Sequence, residues 1–189
     1  MRIFNARYGF PVAKVMGACA LVLLAAPPAE AAGKSLEATL NFIRDQLSAQ
    51  GRLSYKVSIH DTSTNEDFSN DMTGEARNVV SDVGQCRVSF HWSTSLNGGS
   101  KQDFDTWWDF AHIRKVEVVN REQELRAQAA HDGHPSWVAT VSPPLWVVTA
   151  TFDDNQDRVL DFTDKGVADR VLHAVDHAMD LCGAPKESF

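Results

Sequence analysis

Two cysteines, Cys86 and Cys182, constrain the fold of this chain more than any other feature of its sequence. Of the three cysteines in 189 residues, the third, Cys19, lies within a predicted N-terminal export signal and is removed with it. Cys86 opens an apolar row on a predicted strand, and Cys182 ends the apolar stripe of the last predicted helix. The pair therefore indicates which two parts of the fold come into contact.

The first 31 residues have the features of a secretory signal peptide. Three basic residues precede an apolar run over residues 15–26, which is too short to span a bilayer, and Ala29-Glu30-Ala31 follows as a cleavage site. The short run disfavours an uncleaved anchor helix, and the position of Cys19 before most of that run disfavours a lipoprotein. We therefore predict an exported protein, periplasmic or extracellular, with one domain over residues 32–189.

The predicted mature chain is strongly acidic. Removing three basic residues and one acidic residue from totals of 18 and 25 leaves 15 basic and 24 acidic residues, a net charge of −9. Such a surface repels nucleic acid and anionic lipid headgroups, so we predict no nucleic-acid partner and no membrane association after signal cleavage. We found no nucleophile elbow or phosphate-binding glycine loop, and we predict no cofactor.

Hydrophobic periodicity predicts an α+β domain with about seven strands. The spacing predicts a first helix over Leu36–Gln50, with Ser35 as its N-cap and Gly51 as its stop, and a last helix over about residues 164–181. Alternating residues predict strands at 53–59, 77–83, 86–92, 115–120, 137–141, 146–152 and 158–162. Residues 61–71 are polar and could be an edge strand or a loop, and residues 121–130 could be a loop or a helix. Short connections favour an antiparallel barrel or orthogonal sandwich.

The order of these elements resembles the pleckstrin-homology-like barrel, in which a C-terminal helix closes one open end. The tail, with Leu181-Cys182-Gly183 and the ending 186–189, is similar to that of uncharacterised exported bacterial proteins. The resemblance implies a fold but no activity, and the chain lacks the basic loop residues with which eukaryotic members bind phosphoinositides. If the helix closes the barrel, Cys86 and Cys182 meet in the core and form a structural disulfide, although two unbonded buried thiols would also suit these positions.

Several side chains are weak candidates for chemistry. His173 and His177 share one helical face, and His131 and His134 share a glycine-containing loop, so each pair could hold a metal. We interpret both pairs as solvated surface and predict no metal site. We also predict no catalytic residues, although a hydrolase could combine acids of the segment 103–109 with His112.

Trp107 and Trp108 are the best candidates for ligand contact, because adjacent residues of a strand point in opposite directions and one of these indoles should be partly exposed. We therefore predict a non-enzymatic module that binds a protein or small ligand. The alternatives are the secreted hydrolase and a carrier of small apolar ligands. A carrier needs an internal cavity, whereas the large inward-facing Trp and Phe side chains predict a filled interior.

Overall fold

A computed structural model describes residues 35–185 of the chain, which form an α+β fold with eight strands and three α-helices. The predicted signal peptide at 1–31 and Cys19 lie outside the described residues. The elements are α1 (Leu36–Gln50), β1 (Arg52–Asp61), β2 (Glu66–Asp82), β3 (Arg87–Leu96), β4 (Gln102–Asp109), a 3₁₀ turn (Phe110–His112), β5 (Ile113–Asn120), α2 (Arg121–His131), β6 (Trp137–Ser142), β7 (Trp146–Phe152), β8 (Asp157–Phe162) and α3 (Lys165–Cys182).

Helix α1 has the predicted bounds. The Ser35 hydroxyl accepts a hydrogen bond from the backbone N–H of Ala38, as an N-cap does, and Gly51 ends the helix with φ of 61°. Its buried apolar residues follow the predicted stripe and join the main core: Leu40, Ile43 and Leu47.

A five-stranded antiparallel sheet has the order β4-β3-β2-β1-β6. Strand β2 is 17 residues long. It includes residues 66–71 of the polar segment 61–71, which the sequence predicted to be either an edge strand or a loop. Its polar first half pairs with β1 in continuous register from Glu66↔Asp61 to Glu75↔Arg52. Residues 66–71 pair with β1 alone, since the pairing of β2 with β3 begins at Met72, so this polar stretch is an edge strand, one of the two forms that the sequence left open.

A three-stranded antiparallel sheet has the order β5-β7-β8. The chain crosses between the sheets three times: through the 3₁₀ turn that joins β4 to β5, through helix α2 that joins β5 to β6, and through a bend with a cis Ser142–Pro143 bond that joins β6 to β7. The two sheets are not closed into one barrel, so the closed form of the predicted architecture is not seen. Each sheet keeps its own outer strands, with β4 and β8 facing each other across an open seam.

Residues 121–130, which the sequence left open between a loop and a helix, form helix α2. Asn120 is its N-cap and accepts a hydrogen bond from the N–H of Glu122. The helix has no fully buried residue, and polar contacts attach it to β6, because Glu122 accepts from the N–H of Val141 and Arg126 donates to the carbonyl of Ala139.

Helix α3 begins after its N-cap Asp164 and ends at Gly183, which has the left-handed conformation. The predicted disulfide joins Cys86 to Cys182, with the Cα atoms 6.0 Å apart. Cys86 lies in the turn before β3 with φ of 49°, rather than on the strand as the alternation predicted. Its carbonyl accepts a hydrogen bond from the N–H of Phe110, so this turn holds both the last helix and the corner after β4.

Buried apolar residues form two clusters. The larger one joins α1 and α3 to the inner residues of both sheets, with Phe110 and Phe162 fully buried. The smaller one joins β1 to β6 and includes Leu53, Val57 and Val141, with Leu125 of α2 packed against it. Each cluster contributes to the wall of the cavity described next.

Candidate functional site

A cavity of about 260 Å³ lies between the two sheets. Its position corrects the expectation of a filled interior. The inner face of the five-stranded sheet forms most of its wall, because residues two apart on a strand point to the same side. The lining residues are Tyr55, Met72, Gly74, Phe90, Trp92, Thr94, Phe104, Thr106, Trp108, Arg121, Arg158, Val159 and Asp161.

Gly74 sets the position of one aromatic wall. A Cβ atom at this residue would lie 2.8 Å from Cζ2 and 3.3 Å from Cη2 of the Trp92 indole, distances too short for undisturbed packing. Glycine inside a strand often marks the close approach of another group. The absence of a side chain at Gly74 therefore lets the Trp92 ring lie directly against β2 and leaves space in front of it.

The opposite end of the cavity carries charged groups from separate elements. Arg121 begins α2, Asp161 lies near the end of β8, and the Arg121 Nε atom is 3.8 Å from Asp161 Oδ1. Arg121 Nη1 lies 3.0 Å from Glu124 Oε2. Tyr55 of β1 reaches the same region, with only 8% of its surface exposed.

Burial and charge shift the pKa values of these groups. Burial, with the charge of Asp161 added, raises the pKa of Tyr55 to about 12, so its hydroxyl stays protonated at neutral pH. Burial opposes the charge on Arg121, but Asp161 and Glu124 outweigh it and raise the arginine pKa. Burial raises the pKa of Asp161 and of Glu124, and the guanidinium partly offsets this rise.

Several buried polar atoms of this cluster have no hydrogen-bond partner among residues 35–185. They are Arg121 Nε, Glu124 Oε2 and Asp161 Oδ1; the guanidinium attracts both carboxylates by charge, while the two carboxylates repel each other. Buried polar groups are usually satisfied by protein, water or ligand. The cluster thus retains hydrogen-bonding capacity beside a cavity.

The cavity reaches the surface near the seam between β4 and β8. Phe104 is 49% exposed and Val159 is 37% exposed, so these two side chains mark the entrance. Arg158 Nη1 donates to the carbonyl of Trp107 across the seam at 2.8 Å, and the guanidinium lies 4.1 Å from the centroid of the Phe152 ring. Arg158 therefore joins the two sheets beside the entrance.

Trp107 and Trp108 differ in solvent exposure, as the sequence predicted. Trp107 is 44% exposed and Trp108 is 2% exposed. Trp108 lines the cavity, and its ring packs edge-on against Phe152 with centroids 6.2 Å apart. Trp107 faces outward, with the guanidinium of Arg87 5.4 Å from its ring centroid. The exposure difference is confirmed, and ligand contact by either indole stays a prediction.

Neither of the two candidate histidine pairs forms a metal site with further metal-ligating side chains of residues 35–185. His134 stacks on the Trp137 ring with centroids 4.1 Å apart, while its neighbour His131 is exposed. His173 is exposed on α3 and His177 is partly buried. Across residues 35–185, no group of three or more His, Cys, Asp or Glu side chains has an arrangement that could hold a metal ion.

The acids of the hydrolase alternative lie on the outer face of β4. Asp103 and Asp105 contact His91, with distances of 3.6 Å and 3.1 Å between the oxygen and ring nitrogen atoms. His112 instead pairs with Asp153 at 2.7 Å, and both side chains are about half exposed. None of these residues lines the cavity.

Sequence analysis missed the polar residues of the cavity. One signal was available: Asp161 interrupts the apolar residues Val159, Leu160 and Phe162, and a carboxylate in such a row commonly has a partner. The partner itself could not be predicted, since Arg121 lies 40 positions earlier on a helix that the sequence did not establish.

Comparison with protein-family models, with curated proteins and with solved structures found no match to this chain. Among the helices of residues 35–185, none is both long and apolar enough to cross a membrane. The functional argument therefore depends on the geometry of the cavity.

Proposed function

We propose that this protein is a non-enzymatic binding module that holds a small ligand in the cavity between its two sheets. The observation that carries the proposal is a cavity with aromatic walls at one end and a partly unsatisfied charged cluster at the other. Small-molecule sites are mostly apolar concave spaces with a few polar groups that fix orientation. The volume of about 260 Å³ lies just below the ~300 Å³ at which such sites commonly begin, so a ligand with one or two rings is favoured.

The test is to fill the cavity and follow binding. Thr106 lines the wall on β4, so Thr106→Phe should occupy the space that the ligand needs. We expect ring-sized neutral, anionic and cationic fragments, screened by ligand-observed NMR, to include binders of the wild type that Thr106→Phe no longer binds.

The matched control places the same new side chain outside. Asp105 is the preceding residue of β4 and its side chain is 89% exposed, so Asp105→Phe should retain binding. If no fragment binds, or if both variants bind equally well, the cavity is not a ligand site and the proposal fails.

The apolar-ligand carrier remains the second candidate, because the cavity it requires is present. The charged end favours a ligand with a polar group over a wholly apolar one, since displacing water from Arg121 and Asp161 without replacing its hydrogen bonds is costly. The hydrolase alternative gains no support from the cavity, because His112 and the outer acids of β4 lie outside it.

Two broader proposals complete this assignment. We propose that the fold is an opened pleckstrin-homology-like barrel related to uncharacterised exported bacterial proteins. Its support is the meander of β1 to β4, the second sheet and the closing helix α3. We also propose export to the periplasm or the cell exterior, which the disulfide supports because such bonds persist in oxidising compartments.

A further inference from the structure

We propose that the ligand of this cavity is a small organic cation, namely a protonated amine attached to a flat, ring-sized apolar body. The inference rests on the proposed function, because it specifies the chemistry of the molecule held between the sheets. Its support comes from the balance of charge, the state of Asp161 and the aromatic walls, each considered in turn.

Two guanidiniums, Arg121 and Arg158, and one carboxylate, Asp161, line the cavity, and further carboxylates pair with both arginines. Arg121 lies between Glu124 and Asp161, at 3.0 Å and 3.8 Å, so two carboxylates share one guanidinium. The second guanidinium, Arg158, has its own carboxylate, Asp154, at 3.9 Å, and donates to a backbone carbonyl. Counted with the partners Glu124 and Asp154, which do not line the cavity, the ionised network has three carboxylates and two guanidiniums, and a ligand with one positive charge would balance it.

Asp161 is the carboxylate to which the ammonium group of this ligand would donate a hydrogen bond. It lines the cavity, it is only 5% exposed, and no residue within 35–185 donates a hydrogen bond to its Oδ1 atom. The nearest guanidinium nitrogen is 3.8 Å away, beyond hydrogen-bond distance, and the same side chain also contacts Glu124. An ammonium group supplies the missing donor together with the missing charge, and such charge-assisted bonds are the stronger kind.

The walls suit the rest of such a ligand. Trp92 and Trp108 both line the cavity, and each ring is fixed by packing, the first against Gly74 and the second edge-on against Phe152. The faces of aromatic rings attract cations, most strongly when water is excluded. Rigid indoles beside a buried carboxylate therefore favour a cation with a flat apolar body over an anion of the same shape.

Three indole compounds test the charge preference. Tryptamine is a cation, indole is neutral and indole-3-acetate is an anion, so their common ring isolates the effect of charge. Calorimetric titration of the oxidised wild-type chain should give affinities in the order tryptamine, indole, indole-3-acetate. Asp161→Asn should weaken tryptamine binding about 10- to 100-fold, the loss expected for one charge-assisted hydrogen bond, and leave indole binding nearly unchanged.

Controls distinguish the loss of the Asp161 charge from a loss of folding. Asp153→Asn removes an exposed carboxylate outside the cavity and should leave all three affinities unchanged. Near-ultraviolet circular dichroism checks that Asp161→Asn retains its tryptophan packing. If that variant does not fold, Glu124→Gln provides the second measurement, and it should narrow the preference for tryptamine over indole.

The outcomes distinguish this inference from the proposed function. If indole or indole-3-acetate binds as tightly as tryptamine and Thr106→Phe abolishes that binding, the cavity holds a ligand but not a cation, and the inference is overturned alone. Tryptamine binding that Asp161→Asn does not weaken also overturns it. If none of the three compounds binds but other fragments bind in the cavity, the inference again fails alone; if no fragment binds, both proposals fail.

Discussion

Gly74 is the residue whose side-chain absence most directly shapes the cavity. Gly74→Ala would place a Cβ atom 2.8 Å from Trp92, so the indole must move toward the space in front of it. Overpacking of this kind costs about 1–3 kcal/mol. We expect urea unfolding to show a loss of that size, together with weaker binding of cavity ligands.

Gly84→Ala is the matched control for this substitution. The nearest atom to a Cβ at Gly84 is Asp82 Oδ1 at 3.5 Å, an ordinary van der Waals contact, so stability should change little. Equal stability losses in the two variants would show that the effect arises from the alanine itself and not from contact with Trp92.

His112 provides a pH-dependent contact at the corner between the sheets. Its hydrogen bond to Asp153, with Asp109 nearby, raises the pKa of His112 above its ordinary value of 6.5, and the same bond lowers the pKa of Asp153 below 3.8. A raised histidine pKa contributes stability below the unfolded value, and this contribution is lost as pH rises through the folded value. The contribution is small, because both side chains are about half exposed.

Asp153→Asn should therefore lower the His112 pKa toward 6.5 and reduce stability slightly between about pH 4 and 6.5, with the difference fading as pH rises further through the raised pKa of His112. Titration of the histidine ring protons by NMR measures the first effect, and thermal unfolding at several pH values measures the second. An unchanged His112 pKa in the variant would contradict the assigned contact.

At the scale of elements, the disulfide connects α3 to the turn before β3. It joins residues 96 positions apart, and closing a loop of that length stabilises a protein by roughly 4–5 kcal/mol in the chain-entropy model, as an upper value. The double variant Cys86→Ser, Cys182→Ser should lose up to that amount in urea unfolding. Unfolding of the reduced wild type is the control, and it should match the double variant; equal stability of all forms would contradict a structural role for the bond.

At the scale of the whole molecule, export and oxidation should occur together. When the full chain is expressed and purified from the periplasm or the medium, the protein should begin near residue 32. After denaturation without reductant it should show no reactive thiol, because Cys19 is removed with the predicted signal and Cys86 and Cys182 are bonded to each other. Intact mass and thiol titration measure both. Two reactive thiols in that preparation would contradict the pairing, and an intact N-terminus would contradict cleavage.

Local signals explain why the helices at the two ends could be predicted. Ser35 and Gly51 bound the first helix and Gly183 ends the last, and caps depend on neighbouring residues only. The apolar alternation along β1 and β3 likewise follows from burial of one face. These patterns determined the α+β class, and the exclusion of Cys19 with the predicted signal left Cys86 and Cys182 as the one possible pair, although Cys86 lies in a turn and not on the strand.

Other features depended on neighbours distant in sequence. The pairing of Arg121 with Asp161 depended on α2 and β8 meeting at one end of the cavity.

The sequence by itself thus determined the class of fold and its end helices, because caps, periodicity and apolar faces act locally, and it predicted the pairing of Cys86 with Cys182 that the structure contains. Only the tertiary structure decided that the sheets remain apart along β4 and β8 and that a cavity with a charged end lies between them. The physical reason is that sheet closure and cavity volume depend on how distant side chains such as Trp92 pack together, and no single segment contains that information.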